Sequence, residues 1–150
     1  MSMFSAFNVN ASGMTAQRLR MDIISENVAN ANTTRTEDGT PYVRKIVTFA
    51  TKGEDRSGGF HKVLKGATAA SVGQGVKVNG IYEDTESEQN LVYDPSHPDA
   101  DENGYVSYPN VNIVTEMTNL IDASRAYEAN ATAFSASKSM AQQGLQLSQQ

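Results

Sequence analysis

An acidic loop in the second half of the chain carries the side chains that come closest to a chemical motif. Asp99, Asp101 and Asn103 are spaced two residues apart, and Gly104 follows them. This spacing matches the first half of a calcium-binding loop, where positions one, three and five supply oxygen ligands and a glycine turns the chain at position six. Position twelve falls on Asn110, where such a loop needs a bidentate glutamate. One alternative is therefore a calcium-dependent binding or adaptor module, and the other is a plain hairpin turn at Asn103–Gly104.

Catalytic chemistry has little support in the composition. An active site needs a nucleophile, a base and an orienting group that converge. The chain has no Cys, its two histidines, His61 and His97, are far apart, and no nucleophile motif is recognisable. A formal charge of -5 argues against nucleic-acid binding. Outside the calcium alternative we expect no catalytic residue, metal, cofactor, small-molecule substrate or nucleic-acid partner.

The longest predicted element is a C-terminal axial helix at residues 111–150. Its residues follow a heptad register, which predicts a stripe facing a partner helix. Asn112 is the expected N-cap, and Glu116 in the first turn suits the positive end of the helix dipole. The register positions are Ile113, Met117, Leu120, Ser124, Tyr127, Ala131, Phe134, Lys138, Ala141 and Leu145.

A second helix is predicted at the other end of the chain, at residues 1–34. Phe7, Met14, Met21 and Val28 fall seven residues apart and define a second apolar row. The helix ends in a run rich in asparagine, and these side chains are expected to bond to backbone or to a neighbouring helix. Their positions are Asn27, Asn30 and Asn32.

The residues between the helices, 35–110, predict a β-rich insert. Four segments rich in β-branched and aromatic residues read as strands, at 42–51, 76–82, 91–93 and 105–108. Residues 52–74 are rich in glycine and lack periodicity, so we expect a mobile loop there. The predicted fold class is α+β, with two long terminal helices in a coiled-coil-like pair and a small β-hairpin or sheet insert between them.

Charge is divided along the sequence. Residues 35–77 hold eight Lys and Arg against four Asp and Glu, whereas residues 78–124 hold ten acids and no base. A subunit with a basic and an acidic region offers the next copy its counter-surface, which suits head-to-tail self-assembly. Two merely solvated faces are the alternative interpretation.

Three groups of residues resemble bacterial flagellar rod and hook proteins. The first is the N-terminal signature, in which Ser12-Gly13-Met14 and Ala16 to Arg20 precede Asn27-Val28-Ala29-Asn30-Ala31-Asn32-Thr33. The second is Val92 to Asp101 with Gly104-Tyr105-Val106 and Pro109 to Asn112, which is similar to proximal rod subunits in particular. The third is Glu116-Met117 with Ala123 to Asn130, which is similar to the C-terminal signature of the family.

The resemblance implies a structural subunit of the proximal rod of the flagellar basal body. Such a subunit would self-assemble through its terminal helices into a helical tube that transmits torque. The implied partners are copies of the same chain, other rod proteins of the FlgB, FlgF and FlgG type, the FliE adaptor and the flagellar type III export apparatus. The implied location is the periplasmic part of the basal body, reached without a cleaved signal peptide. No secretory h-region is recognisable before Arg18, which agrees with that route.

We predict an assembly interface from the apolar heptad rows of the two helices and from the N-terminal and C-terminal rod signatures. It comprises Phe7, Met14, Met21, Asn27, Val28, Asn30, Asn32, Ile113, Met117, Leu120, Arg125, Tyr127, Glu128 and Phe134.

Overall fold

The computed structural model describes residues 3–52 and 75–147. Helix α1 spans Met3–Ala29 and helix α2 spans Ile113–Leu147. The described residues between the helices form four strands in two two-stranded sheets, which pair β1 with β2 and β3 with β4. Their bounds are Lys45–Thr51 for β1, Val76–Glu83 for β2, Asn90–Tyr93 for β3 and Tyr105–Tyr108 for β4.

The predicted α+β class is confirmed by two helices at the ends and small sheets between them. Residues 53–74, where nearly all of the expected mobile loop falls, lie outside the described residues. Within the described part of the chain, neither helix has the length and apolar character needed to cross a membrane.

Local chemistry explains where the helices begin and end. The Asn112 side chain accepts a hydrogen bond from the backbone N–H of Thr115 at 3.1 Å, so Asn112 is the N-cap of α2 as expected. Helix α1 ends at Ala29, after which the N–H of Asn30 still bonds to the carbonyl of Glu26 at 3.0 Å. The N–H of Thr33 then bonds to the carbonyl of Asn30, which turns the chain out of the helix.

The chain divides into two compact units, and unit 1 comprises Met1–Arg18, Phe49–Asn79 and Arg125–Gln150. In this unit the rings of Phe7 and Phe134 pack edge to face, with centroids 5.1 Å apart. The two helices also approach closely at Gly13, where a Cβ atom would lie 2.8 Å from the side-chain oxygen of Asn130. The Asn130 side chain, whose Nδ2 donates to the carbonyl of Ala126 at 2.8 Å, would have to shift to admit a larger residue at position 13.

Unit 2 comprises Leu19–Thr48 and Gly80–Ser124. Its core includes a cluster of Ala31, Tyr42 and Val111. Val106 and Ala123 are completely buried in the same unit. Small and medium side chains dominate these positions, so the core is compact but modest in apolar volume.

The β3–β4 hairpin is antiparallel, with Tyr93 opposite Tyr105 and Asn90 opposite Tyr108. Gly104 has φ of +81°, a conformation that glycine adopts without steric cost. Asp101 accepts hydrogen bonds from the backbone N–H groups of Asn103 and Tyr105 at 2.9 and 2.7 Å, which closes the turn. The hairpin interpretation of Asn103–Gly104 is therefore confirmed.

The same contacts leave the calcium interpretation without support. The Asp101 oxygen that would bind the ion already accepts two backbone hydrogen bonds. Asp99 accepts a hydrogen bond from the Thr34 hydroxyl at 2.9 Å and lies 3.6 Å from the Arg35 guanidinium. Among the described residues, no three His, Cys, Asp or Glu side chains are grouped so that they could hold a metal ion.

The buried row of α2 is displaced by one residue from a predicted heptad row. Its residues directly precede the predicted positions Met117, Ser124 and Lys138. The fully or almost fully buried positions are Glu116, Ala123 and Ser137. Met117, one residue after Glu116, is 54% exposed. This buried row consists of small side chains and of one carboxylate that is hydrogen-bonded, so other segments can pack closely against α2. Several large apolar residues of α2 therefore face solvent.

Candidate assembly site

A buried asparagine joins helix α1 to the start of strand β1. The Asn27 side chain is 1% exposed. Its Nδ2 donates to the backbone carbonyl of Lys45 at 2.8 Å, and its Oδ1 accepts from the backbone N–H of Lys45 at 2.9 Å. The Tyr42 hydroxyl donates to the same Oδ1 at 2.8 Å. The amide thus acts as a strand partner for Lys45, so the expectation that this asparagine bonds to backbone or to a neighbouring helix is met by backbone.

The same asparagine reaches the first turn of α2. Asn27 Nδ2 lies 3.2 Å from Glu116 Oε2, and Glu116 is 1% exposed. Arg44 approaches the other carboxylate oxygen, with Nη2 at 2.7 Å and Nε at 3.0 Å from Oε1. A buried carboxylate needs such partners, because an unpaired charge away from water is strongly unfavourable. The helix dipole adds to the stabilisation, since Glu116 lies in the first turn.

Arg44 also connects β1 to the segment after β2. Its Nη1 lies 3.4 Å from Asp84 Oδ2, and its backbone carbonyl accepts from the N–H of Asp84 at 2.8 Å. Its own N–H donates to the Asn110 side chain at 3.0 Å. Hydrogen bonds from the backbone and hydroxyl of Ser87, with the Arg44 guanidinium, hold the pKa of Asp84 below its usual value. We call Asn27, Tyr42, Arg44, Asp84 and Glu116 the polar junction.

Tyr42 is a donor in this junction and stays neutral. Burial, with the negative charges of Glu26, Glu83 and Glu116, raises the pKa of Tyr42 to about 12. The phenol therefore keeps its proton for Asn27 over the whole neutral range. Every group in the junction is engaged in a hydrogen bond or ion pair with another of its members. The junction positions the start of α2 against the start of β1 and the end of α1, which are all parts of unit 2.

An apolar surface of unit 2 remains open to solvent next to this anchored helix start. Val114 is 75% exposed, Met117 54% and Ile121 52%, and their spacing places them on one face of α2. Ile113 and Val92 line a groove of about 430 Å³ beside the helix start, with Ala31 and Val111 among its other walls. We call the residues Val92, Ile113, Val114, Met117 and Ile121 the exposed apolar face.

The residues predicted for the assembly interface differ in how exposed they are within the chain and in whether their side chains are hydrogen-bonded. Asn27 is in the polar junction, Asn30 donates to the carbonyl of Glu26 at 3.0 Å, and Asn32 is exposed on the groove wall. Those that are half-buried are Phe7, Met14, Met21, Val28, Leu120 and Phe134. Those that are exposed are Ile113, Met117, Arg125, Tyr127 and Glu128.

Sequence reasoning missed the polar junction as a unit. It placed Asn27 at a helix end and Glu116 in a first turn, but it did not link either residue to Tyr42 or Arg44. The local signal was a pair of basic residues, Arg44 and Lys45, in a predicted strand otherwise rich in β-branched and aromatic residues. The residues of the Asn27–Glu116 contact are 89 positions apart, so no spacing rule indicates it.

Comparison with known families agrees with this arrangement of the helices. A family model described as flagella basal body rod protein matches residues 7–35, which include most of α1. A model described as flagellar basal body rod FlgEFG protein C-terminal matches residues 102–147, which include β4 and α2. The class that these models indicate is the rod protein of the flagellar basal body.

Full-length relatives narrow this class. The chain is 45% identical to the flagellar basal-body rod protein FlgC of Bacillus subtilis, over 98% of this chain and 99% of that protein. It is 46% identical to FlgC of Borreliella burgdorferi over 99% of both chains, and 37% identical to FlgC of Escherichia coli O157:H7 over 99% of this chain and all of that protein. This chain belongs to the FlgC family of flagellar basal-body rod proteins. It is a structural subunit of the basal-body rod that serves motility, and it is not an enzyme.

Proposed function

We propose that this chain assembles through its terminal helices, with copies of itself and with other rod proteins, into the helical tube of the proximal rod. In that position it transmits torque along the flagellar axis. The observation that carries the proposal is the exposed apolar face beside the anchored start of α2. Contiguous apolar surface of this kind marks an interaction site, because a solvated monomer gains nothing from leaving it open.

The predicted interface residues support the same proposal. Met14, Met21 and Val28 on α1 are only half-buried within the chain, and Tyr127 on α2 is exposed. Each therefore keeps apolar surface that a neighbouring helix would remove from water, at about 25 cal/mol for each Å². A subunit in a tube wall has neighbours on several sides, and partly covered rows on both helices suit such a position.

Torque transmission requires that a subunit resist shear, and the polar junction supports this part of the proposal. Hydrogen bonds and ion pairs have preferred geometry, whereas apolar contacts are non-directional. In unit 2 the junction bonds α1, β1, the segment after β2 and α2 to one another. Sliding any of these segments would break several bonds of the network together.

Membership of the rod family supports a proposal about partners and location. We infer that the neighbouring subunits include rod proteins of the FlgB, FlgF and FlgG type and the FliE adaptor. We also infer delivery by the flagellar type III export apparatus and a final position in the periplasm. No observation favours the calcium-dependent alternative, because its carboxylates are engaged in a turn and in contacts to Thr34 and Arg35.

A substitution on the exposed apolar face tests the proposal. Met117→Asp places a charge on that face without disturbing a buried contact, since Met117 is half exposed. Cells that carry this variant as their only copy should lose motility, and their purified basal bodies should lack the chain. The purified variant should unfold at the same denaturant concentration as the wild type.

Thr115→Asp is the matched control, because Thr115 is exposed on the same helix and an acid in the first turn suits the dipole. Cells with the control should swim. Normal motility and normal basal bodies with Met117→Asp would contradict assembly through this face.

A further inference from the structure

The two structural units carry net charges of opposite sign. This separation by unit differs from the division between residues 35–77 and 78–124 of the sequence. Among the described residues of unit 1 there are five Lys and Arg against one acid, a net charge of +4. Within unit 2 there are four Lys and Arg against fourteen Asp and Glu, a net charge of -10. The charge separation therefore follows the two packed units and not only the order of residues along the chain.

The Lys and Arg residues of unit 2 do not neutralise its exposed acids, because most of them form ion pairs with other acids of the same unit. Arg35 lies beside Asp99, Arg44 between Glu116 and Asp84, and Lys45 beside Glu26. The acids that remain exposed outnumber them. They are Asp22, Glu37, Asp38, Glu83, Glu86, Glu88, Asp101, Glu102 and Asp122.

Unit 1 presents the opposite charge together with an apolar helix surface. Its described bases are all exposed, at Arg18, Lys52, Lys77, Arg125 and Lys138. On its part of α2, Met140 is 64% exposed and Leu147 76%, and a spacing of seven places them on one face. Exposed alanines at 129, 133 and 136 precede them on the helix. Large apolar residues among small ones form the knobs and holes by which helices pack.

We propose that the exposed apolar face of unit 2 in one copy packs against the Met140–Leu147 part of α2 in unit 1 of a second copy. This inference rests on the proposed self-assembly, and it identifies which surface of the second copy covers the exposed apolar face. Contact between two copies of unit 2 is disfavoured, because it would bring two net charges of -10 together. Contact between unit 2 and unit 1 joins surfaces of opposite charge. It is heterologous, so each copy leaves one surface open for the next, as an open-ended helical array requires.

Disulfide crosslinking between copies tests this inference, and the absence of native cysteine keeps the background low. Met117→Cys and Met140→Cys would be made separately and produced together in cells that lack the wild-type chain. After mild oxidation of purified basal bodies, we expect a crosslinked dimer that contains one copy of each variant. The control pair is Met117→Cys with Glu102→Cys, since Glu102 is exposed on the β3–β4 turn.

The mixed dimer should exceed both the single-variant dimers and the control pair by about tenfold, the ratio that roughly 1.4 kcal/mol of preference produces. Its yield should also fall several-fold when the basal bodies are oxidised at high ionic strength, because exposed charges are screened there. Equal crosslinking of Met117→Cys with itself would overturn the inference, since it shows contact between like units.

The test separates this inference from the proposed function. Basal bodies that contain both variants but yield no mixed dimer on oxidation overturn the inference and leave rod assembly intact. A yield that is unchanged by salt overturns the role of charge in choosing the occupant. Absence of the chain from basal bodies of cells with wild-type protein would instead contradict the proposed function itself.

Discussion

Asn27 in the last turns of α1 donates from Nδ2 to Oε2 of Glu116 in the first turn of α2, across 3.2 Å. Both side chains are almost completely buried, and both belong to segments that resemble flagellar rod signatures. The contact therefore lies where the two most recognisable parts of the sequence meet. Its partners Tyr42 and Arg44 extend it into the β insert.

The charge of Glu116 should be needed for stability. Glu116→Gln keeps the shape but replaces one acceptor oxygen with a donor group, which then faces either Asn27 or Arg44. We expect a loss of about 1–3 kcal/mol in the free energy of unfolding, because a charged hydrogen-bonded pair is replaced by an unfavourable contact. Urea titration followed by circular dichroism measures this value.

Glu128→Gln is the control for that experiment, because Glu128 is exposed on the same helix. Its effect should stay within about 0.5 kcal/mol. Equal stability of the two variants would show that the buried pair contributes nothing net.

Tyr42→Phe should weaken the fold at neutral pH and flatten its response to alkali. The variant loses the hydrogen bond to Asn27, worth about 1 kcal/mol. Because the pKa of Tyr42 is raised from 10.0 to about 12, its stabilising contribution is complete below pH 10.0 and is lost as the pH rises through 12. Wild-type stability should therefore fall more steeply than that of Tyr42→Phe between these values. Urea titration at several pH values measures the unfolding free energy of both proteins. Parallel dependence on pH for wild type and Tyr42→Phe would contradict the raised pKa of Tyr42.

Asp84→Asn should matter at neutral pH and cease to matter in acid. The folded-state pKa of Asp84 is lowered below 3.8, so its charge stabilises the fold above that pH and this contribution is lost as pH falls through the folded value. The difference in unfolding free energy between wild type and Asp84→Asn should shrink as the pH is reduced from neutral to below 3.8. Glu88→Gln, at an exposed neighbouring position, should show a much smaller difference throughout. A difference that grows in acid would refute the predicted direction.

Gly13 should tolerate a methyl group only when Asn130 is shortened. Gly13→Ala raises helix propensity by about 1 kcal/mol, but its Cβ would lie 2.8 Å from the Asn130 oxygen. We expect the single variant to lose that gain, and Gly13→Ala with Asn130→Ala to be more stable than Asn130→Ala alone. Thermal unfolding of the four proteins gives the coupling between the sites. Additive effects would mean that the helices do not approach each other at this point.

Local features were largely predictable from the sequence. Heptad spacing predicted both helices, Asn112 predicted the start of α2, and Asn103–Gly104 predicted the β3–β4 turn. These features depend on residues within a few positions of one another, and their geometry follows from backbone sterics and local hydrogen bonding. The rod-family signatures are likewise continuous stretches, so they could be identified without coordinates.

Only the tertiary structure decided which distant residues meet. The polar junction pairs Arg44 with Glu116, which are 72 positions apart, and periodicity carries no information about such a pair. The structure also placed Glu116, Ala123 and Ser137 on the inward row of α2 and left Met117 outside. The heptad pattern shows that a helix has apolar rows, but the row that is buried depends on which side chains other segments bring to it. Here Arg44 and Asn27 satisfy a buried carboxylate, and apolar residues beside it are left on the surface for other subunits.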